Sequence, residues 1–131
     1  MINIFQPDID EESNKLLNEV FQSNWLGRGN YVKQFEELFS KYLKVEQTHI
    51  HTLASCSDAI FIGLRSFDLP KDSEVIIPSI SFPAVPSAVK EAGLSLKVID
   101  IDPQTGNICL DSLKNNFNSN CAAVFLTDYG G

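Results

Sequence analysis

Thr52-Leu53-Ala54-Ser55-Cys56-Ser57-Asp58-Ala59-Ile60 is the stretch on which the fold turns. It follows a run of strand-forming residues from Thr48 to Leu53 and opens into Ala59, Ile60, Phe61, Ile62, Leu64 and Phe67 at helical spacing. A strand, a tight turn of small hydroxyl residues and a helix are therefore expected in that order. The first turn of a helix carries unpaired N–H groups and the positive end of its dipole, so this turn suits a phosphate. The alternative is that Ser55 or Ser57 only caps the helix. Neither a Gly-x-Gly-x-x-Gly pattern nor a Walker lysine is present, which removes support for a dinucleotide or nucleoside triphosphate site.

Working outward, strands are expected at Thr48 to Leu53, Glu74 to Ile77, Leu96 to Ile101 and Ala122 to Leu126, with helices near 57–67, 83–91 and 110–117. Alternating elements of this kind give an α/β fold, a three-layer αβα arrangement around a mainly parallel sheet, with ligands at the strand carboxyl ends. The helix at 57–67 is apolar around much of its circumference and is expected to be buried on two sides. Upstream, acidic residues Asp8 to Glu12 precede an apolar stripe of Leu16, Leu17, Val20 and Phe21, a capped amphipathic helix. The glycines of Ser23-Asn24-Trp25-Leu26-Gly27-Arg28-Gly29-Asn30 break it, and Val32, Phe35, Leu38, Phe39 and Tyr42 start a second helix. Residues 1–131 read as a single domain ending at Tyr129-Gly130-Gly131, just after a strand, so a missing continuation is expected to close the sheet edge.

Hydrophobic residues make up 44% of the chain, enough for one core, and 17 acidic against 10 basic residues give a net charge of -7. Such a charge repels nucleic acid and anionic lipid. The start, Met1 to Asp8, shows no leader pattern and no run approaches a membrane span, so a cytoplasmic protein is expected. Cys56, Cys109 and Cys121 are odd in number and widely spaced, which fits neither a disulfide framework nor a zinc site; Cys109 and Cys121 read as small core residues.

Four further features bear on chemistry. Phe82, in Ile77-Pro78-Ser79-Ile80-Ser81-Phe82-Pro83, lies past a strand end, placed either to stack on a planar ring or to pack. His49 and His51 are expected on one strand face without a third ligand, so no metal is assigned. Asp100 and Asp102 share a strand end and fit turn formation better than a cation site. In the glycine loop, Arg28 either reaches a ligand phosphate or is a solvated charge, and Trp25 anchors the loop or a subunit contact.

Taken in order, these pieces resemble the DegT/StrS family of sugar aminotransferases, pyridoxal phosphate (PLP) enzymes of the aspartate aminotransferase fold, type I. Ser23 to Gly29 is similar to the family's "sgwl-x-x-G" loop, Phe35-Glu36-Glu37-Leu38-Phe39 to its "fE-x-x-fa" helix, and Ser55-Cys56-Ser57-Asp58-Ala59 to its "SGTxAL" turn. Glu74 to Phe82 resembles "dEVI-x-p-x-x-tf", Val98 to Asp102 resembles "fvDid", and Tyr129-Gly130 echoes "HxyG". The resemblance implies that the Cys56 and Ser57 amides, the Ser57 hydroxyl and the Asp58 amide hold the cofactor phosphate, and that Phe82 lies against the pyridine ring. Trp25 and Arg28 are the candidate substrate-binding residues. It also implies a nucleotide-linked sugar and an amino-acid donor, glutamate or glutamine, as substrates, and a homodimer. Cys56 departs from the usual Gly or Ala, Ser57 from Thr, and Thr127 from His.

None of the eight lysines matches the family's cofactor-bearing lysine, and its aspartate to the ring nitrogen is likewise unmatched, so no residue of this chain is assigned to catalysis. The chain alone is expected to be silent. A receiver-like Mg²⁺ domain needs acids after its first strand, where Ala54-Ser55 stands instead. A non-catalytic fragment that folds and dimerises, or a PLP-dependent sugar dehydratase of the same family, are the remaining alternatives.

Overall fold

The computed structural model describes residues 6–130. Met1 to Phe5, read above for a leader pattern, and Gly131 lie outside the described residues. The chain divides into two compact units, the first ending at Thr52 and the second starting at Leu53.

In the first unit, α1 (Glu11–Gln22) begins where the Asp10 carboxylate accepts from the Ser13 N–H at 2.7 Å, and Glu11 and Glu12 sit against the positive end of its dipole. Helix α2 (Asn30–Leu43) follows Gly29 and stops at Lys44 in the left-handed region, φ 58°. Both helices match the expected stripes. Phe35, Phe39 and Tyr42 stack along α2 with ring centroids 5.4 and 6.3 Å apart, the neighbour spacing of a helix face. Leu17, Phe21, Phe35, Leu38 and Tyr42 are nevertheless exposed, whereas the buried positions of α2 are the polar Glu36 and Ser40.

The strand expected at Thr48 to Leu53 does not form. Gln47–His49 is a single 3₁₀ turn, with the His49 and Ile50 N–H groups each donating at 3.0 Å to the Glu46 and Gln47 carbonyls. The Thr52 N–H donates to the Glu36 carboxylate at 3.1 Å. Ile50 is extended, as its β-branched character favours, but a strand also needs a ladder partner, and these donors are bonded locally or to a side chain. His49 and His51 consequently share no strand face.

The second unit comprises α3 (Cys56–Ser66), β1 (Glu74–Pro78), α4 (Ala84–Glu91), β2 (Ser95–Ile99), α5 (Leu110–Asn116) and β3 (Cys121–Val124). The sheet is parallel with order β2-β1-β3, and Val75 is paired with Leu96 on one side and Ala123 on the other. Central strand β1 is an unbroken apolar run after Glu74, the pattern of a strand covered on both faces; Val75 and Ile76 are wholly buried. The strand expected at Leu96 to Ile101 stops at Ile99, and Ile101 instead bridges Ile108 across a turn. Two crossovers are present where three were expected. The step from β1 to β2 moves one way along the sheet and the step from β2 to β3 the other, so right-handed crossovers place α4 and α5 on opposite faces. The result is the three-layer αβα arrangement.

Leu64 of α3, Val75 and Ile77 of β1, Val85, Ala88 and Val89 of α4, and Leu94 form the core cluster. Helix α3 is less enclosed than its composition suggested: Leu64 is buried, Ile60 and Phe61 are half-buried, and Ile62 and Phe67 are exposed. A one-sided contact with the core accounts for this among the described residues. Cys109 and Cys121 are half-buried rather than core.

Helix α4 ends in a Schellman motif. The Gly93 N–H donates to the Lys90 carbonyl and the Leu94 N–H to the Val89 carbonyl, both at 3.1 Å, and the Leu94 side chain is buried beside them. Gly93 has φ 71°, where a Cβ is strained. Gly93→Ala is expected to cost about 1–2 kcal/mol and to lower the thermal midpoint by about 4 °C, read by circular dichroism. Gly63→Ala, inside α3 where an added Cβ meets open space, is expected to hold or raise stability by about 0.5–1 kcal/mol. Equal losses at both positions would contradict this account.

Candidate cofactor and substrate site

The turn into α3 separates two tasks that the sequence leaves superposed. Ser55 is extended, φ −152°, and its Oγ accepts from the Asp58 N–H at 3.1 Å while donating to Asp58 Oδ2 at 2.8 Å. This is a reciprocal capping arrangement, and the Ser55 carbonyl takes the Ala59 N–H at 3.1 Å. Asp58, expected to offer its amide to an anion, has that amide held by the cap. The Cys56 and Ser57 N–H groups and the Ser57 hydroxyl have no hydrogen-bond partner among the described residues. Three donors thus stand at the positive end of the helix dipole.

Phe82 lies at the same end of the second unit. Past β1 the Ser79 N–H still donates to the Ile99 carbonyl at 2.9 Å, after which the chain turns and the Phe82 carbonyl accepts from the Val85 N–H at 3.0 Å at the head of α4. In the last turns of α3 and α4, Arg65 pairs with Glu91 at 3.4 Å, so these packed helices run the same way. Since α4 starts from the carboxyl end of β1, α3 starts there too. Cys56, Ser57, Asp58 and Phe82 are therefore brought to the carboxyl ends of parallel strands, where open α/β sheets bind ligands. The Phe82 ring is 68% exposed, so it does not serve the core. Ser81 Oγ, its neighbour, is buried without a partner among the described residues.

Trp25 and Arg28 belong to the first unit. The Trp25 indole lies over the two glycines of its loop, where a Cβ on Gly29 would approach ring atom Cδ1 to 3.3 Å, and its Nε1–H donates to the Arg28 carbonyl at 3.1 Å. This explains Gly29 as a close-approach position for the ring, whereas a Cβ on Gly27 would meet it at an ordinary 3.5 Å. Arg28 Nη2 donates to Glu36 Oε2 in an ion pair whose arginine side chain is 58% exposed and whose glutamate is buried. Glu36 Oε1 accepts from both the N–H and the Oγ1–H of Thr52, at 3.1 and 2.8 Å. The hydrogen bond from Arg28, then those from Thr52, hold the Glu36 carboxyl down to about 2. Glu36 and Thr52 were not singled out as site residues from sequence, although Glu36 lies in the Phe35-Glu36 motif, an acid next to an apolar stripe.

Asp102 shapes its turn, its Oδ1 accepting from the Gln104 N–H at 2.8 Å and its carbonyl from the Gly106 N–H at 2.8 Å. No group of three His, Cys, Asp or Glu suited to a metal occurs among the described residues. No helix among them is long and apolar enough to cross a membrane.

Residues 7–131 match the DegT/DnrJ/EryC1/StrS aminotransferase family, and the chain belongs to it. It is 36% identical over its whole length to dTDP-4-dehydro-2,3,6-trideoxy-D-glucose 4-aminotransferase of Saccharopolyspora spinosa, covering 34% of that protein. Among solved structures, the aminotransferase TlmJ of Streptoalloteichus hindustanus superposes with a TM-score of 0.87 at 33% identity, over 95% of this chain and 34% of that one. The E. coli GDP-4-keto-6-deoxy-D-mannose-3-dehydratase with bound hydrated PLP superposes with the same score, 0.87, at 28% identity, over 96% and 34%. The chain spans about a third of the length of the curated relatives it matches.

The Glu36 cluster gives a pH signature. A carboxyl at 4.5 when free and about 2 when folded contributes stability that is full above pH 4.5 and is lost as pH falls toward 2. Glu36→Gln is expected to flatten the loss of α-helical signal across that window. An unchanged acid-unfolding curve in Glu36→Gln would show that another carboxyl sets it.

Proposed function

We propose that this chain is part of a PLP-dependent sugar aminotransferase that moves an amino group from an amino acid, glutamate or glutamine, to a keto group of a nucleotide-linked sugar. The observation that carries the reading is the trio of unpaired donors, Cys56 N–H, Ser57 N–H and the Ser57 hydroxyl, at the same strand ends as the exposed Phe82 ring. This donor set fits a phosphate dianion attached to a planar aromatic ring. The buried, unpartnered Ser81 Oγ adds a polar atom at that end.

In this reading the Cys56 and Ser57 amides and the Ser57 hydroxyl bind the phosphate, while Asp58 and Ser55 keep the first turn of α3 in shape. Phe82 covers one face of the ring. Trp25 and Arg28 are assigned to substrate, with the outer guanidinium N–H groups suited to a substrate anion. When bound, PLP supplies the electron sink for amino transfer. The proposal includes a cytoplasmic homodimer, with the Trp25 loop and first helices in the contact, a role that fits the apolar side chains exposed on α1 and α2. A second reading, sugar dehydration on the same cofactor, is favoured by the equally good superposition on a dehydratase.

The test is titration of the ¹⁵N-labelled chain with pyridoxamine 5′-phosphate and with pyridoxamine. Only the phosphate ester is expected to move the Cys56 and Ser57 amide resonances. Ser57→Ala is expected to weaken it by about tenfold, the loss of one hydrogen bond to a charged group, and Ser57→Thr to retain it. Equal response to both compounds would remove the phosphate assignment.

A further inference from the structure

The first unit contains a cleft of about 700 Å³ between the end of α1, the Trp25 loop and the start of α2. That volume lies within the range of small-molecule sites, about 300–1,000 Å³. Trp25 forms part of its wall. One side of the indole rests on the loop glycines, yet the residue is 62% exposed, so the rest of the ring is open to a ligand. The Trp25 N–H donates to Ser23 Oγ at 3.2 Å and its Nε1–H to the Arg28 carbonyl at 3.1 Å. These two bonds set the flat ring beside the arginine before any ligand arrives, which lowers the ordering cost of binding.

The charges of the wall run against those of the whole chain. Arg28 and Lys33 face a single acid, Glu19, in a chain of net charge -7. Glu19 accepts from the Tyr31 hydroxyl, so part of its charge is met within the wall itself. Arg28 gives Nη2 to Glu36 but its side chain remains 58% exposed, and the Lys33 amine has no partner among the described residues. A flat aromatic ring next to two cations suits a ligand that joins a planar ring to phosphates. We propose that this cleft binds the nucleoside diphosphate half of a nucleotide-linked sugar, with the base on the open side of Trp25 and the diphosphate between Arg28 and Lys33. The sugar half has neither a flat ring nor a charge and uses neither feature. The inference deepens the substrate reading given above and rests on it for the sugar, whereas binding of the nucleoside diphosphate stands independently of the cofactor.

Trp25 is the one tryptophan of the chain, so a single indole N–H resonance of the ¹⁵N-labelled full chain reports on the cleft. Stacking tolerates any base, and thymidine 5′-diphosphate therefore serves as the probe. It is expected to shift the indole resonance saturably, with an affinity about tenfold above that of thymidine and of inorganic pyrophosphate. Lys33 is exposed, so its replacement spares the fold. Lys33→Ala is expected to weaken the diphosphate about tenfold and Lys33→Arg to retain it, with Lys15→Ala, on α1 outside the cleft, unchanged. An unmoved indole resonance, pyrophosphate binding as tightly as the nucleoside diphosphate, or equal losses in Lys33→Ala and Lys15→Ala would each overturn the proposal. Pyridoxamine 5′-phosphate is titrated in parallel, read at the Cys56 and Ser57 amides. If those amides respond and the indole ignores the diphosphate, the cleft proposal falls and the cofactor reading survives. If the indole responds as stated and the amides ignore the ester, the cofactor reading falls and the cleft proposal stands.

Discussion

The parallel ladder of β1 between β2 and β3 is the constraint from which the second unit follows. A strand with neighbours on both edges and helices over both faces has no wet side, which is why Val75-Ile76-Ile77 carries no polar residue. Parallel pairing forbids a tight return, so each link between strands must cross the sheet, and α4 and α5 are those links. The order β2-β1-β3 makes the two crossings opposite in direction and sends the helices to opposite faces. The carboxyl end of β1 thereby becomes the place where a loop leaves the sheet with Ser81 and Phe82 on it.

At that end the structure resolves an ambiguity of small hydroxyl residues. Ser55 and Ser57 are chemically equal candidates for capping α3 and for binding an anion. Capping goes to Ser55, whose extended backbone directs Oγ to the Asp58 N–H, and Asp58 returns the bond. Ser57, inside the first turn, is left with its hydroxyl and amide unspent. The two functions coexist because they fall on different residues of one turn.

The first unit shows a different economy. Its buried side chains among the described residues are the polar Glu36 and Ser40, and the Glu36 carboxylate gathers a guanidinium, an amide and a hydroxyl from sequence positions 8 and 16 residues away. Charged hydrogen bonds to a buried acceptor are strong and directional, so this cluster specifies geometry more than it adds stability. It also accounts for the absent strand, because the Thr52 amide that a ladder would need is bonded to Glu36.

Local sequence determined the helices, the parallel α/β pattern, the small-residue turn at Ser55 to Asp58 and the ring at Phe82, because periodicity, capping chemistry and turn composition act over a few residues. The ordered motifs identified the family for the same reason. Tertiary structure alone decided that Thr48 to Leu53 lacks a ladder partner among the described residues, that α3 is covered on one side, and that the starts of α3 and α4 share one end of the sheet. It alone gave Glu36 its role, since a glutamate beside an apolar stripe looks like any solvated charge until Arg28 and Thr52 converge on it. Partners distant along the chain determine burial and hydrogen bonding, and no local pattern encodes them.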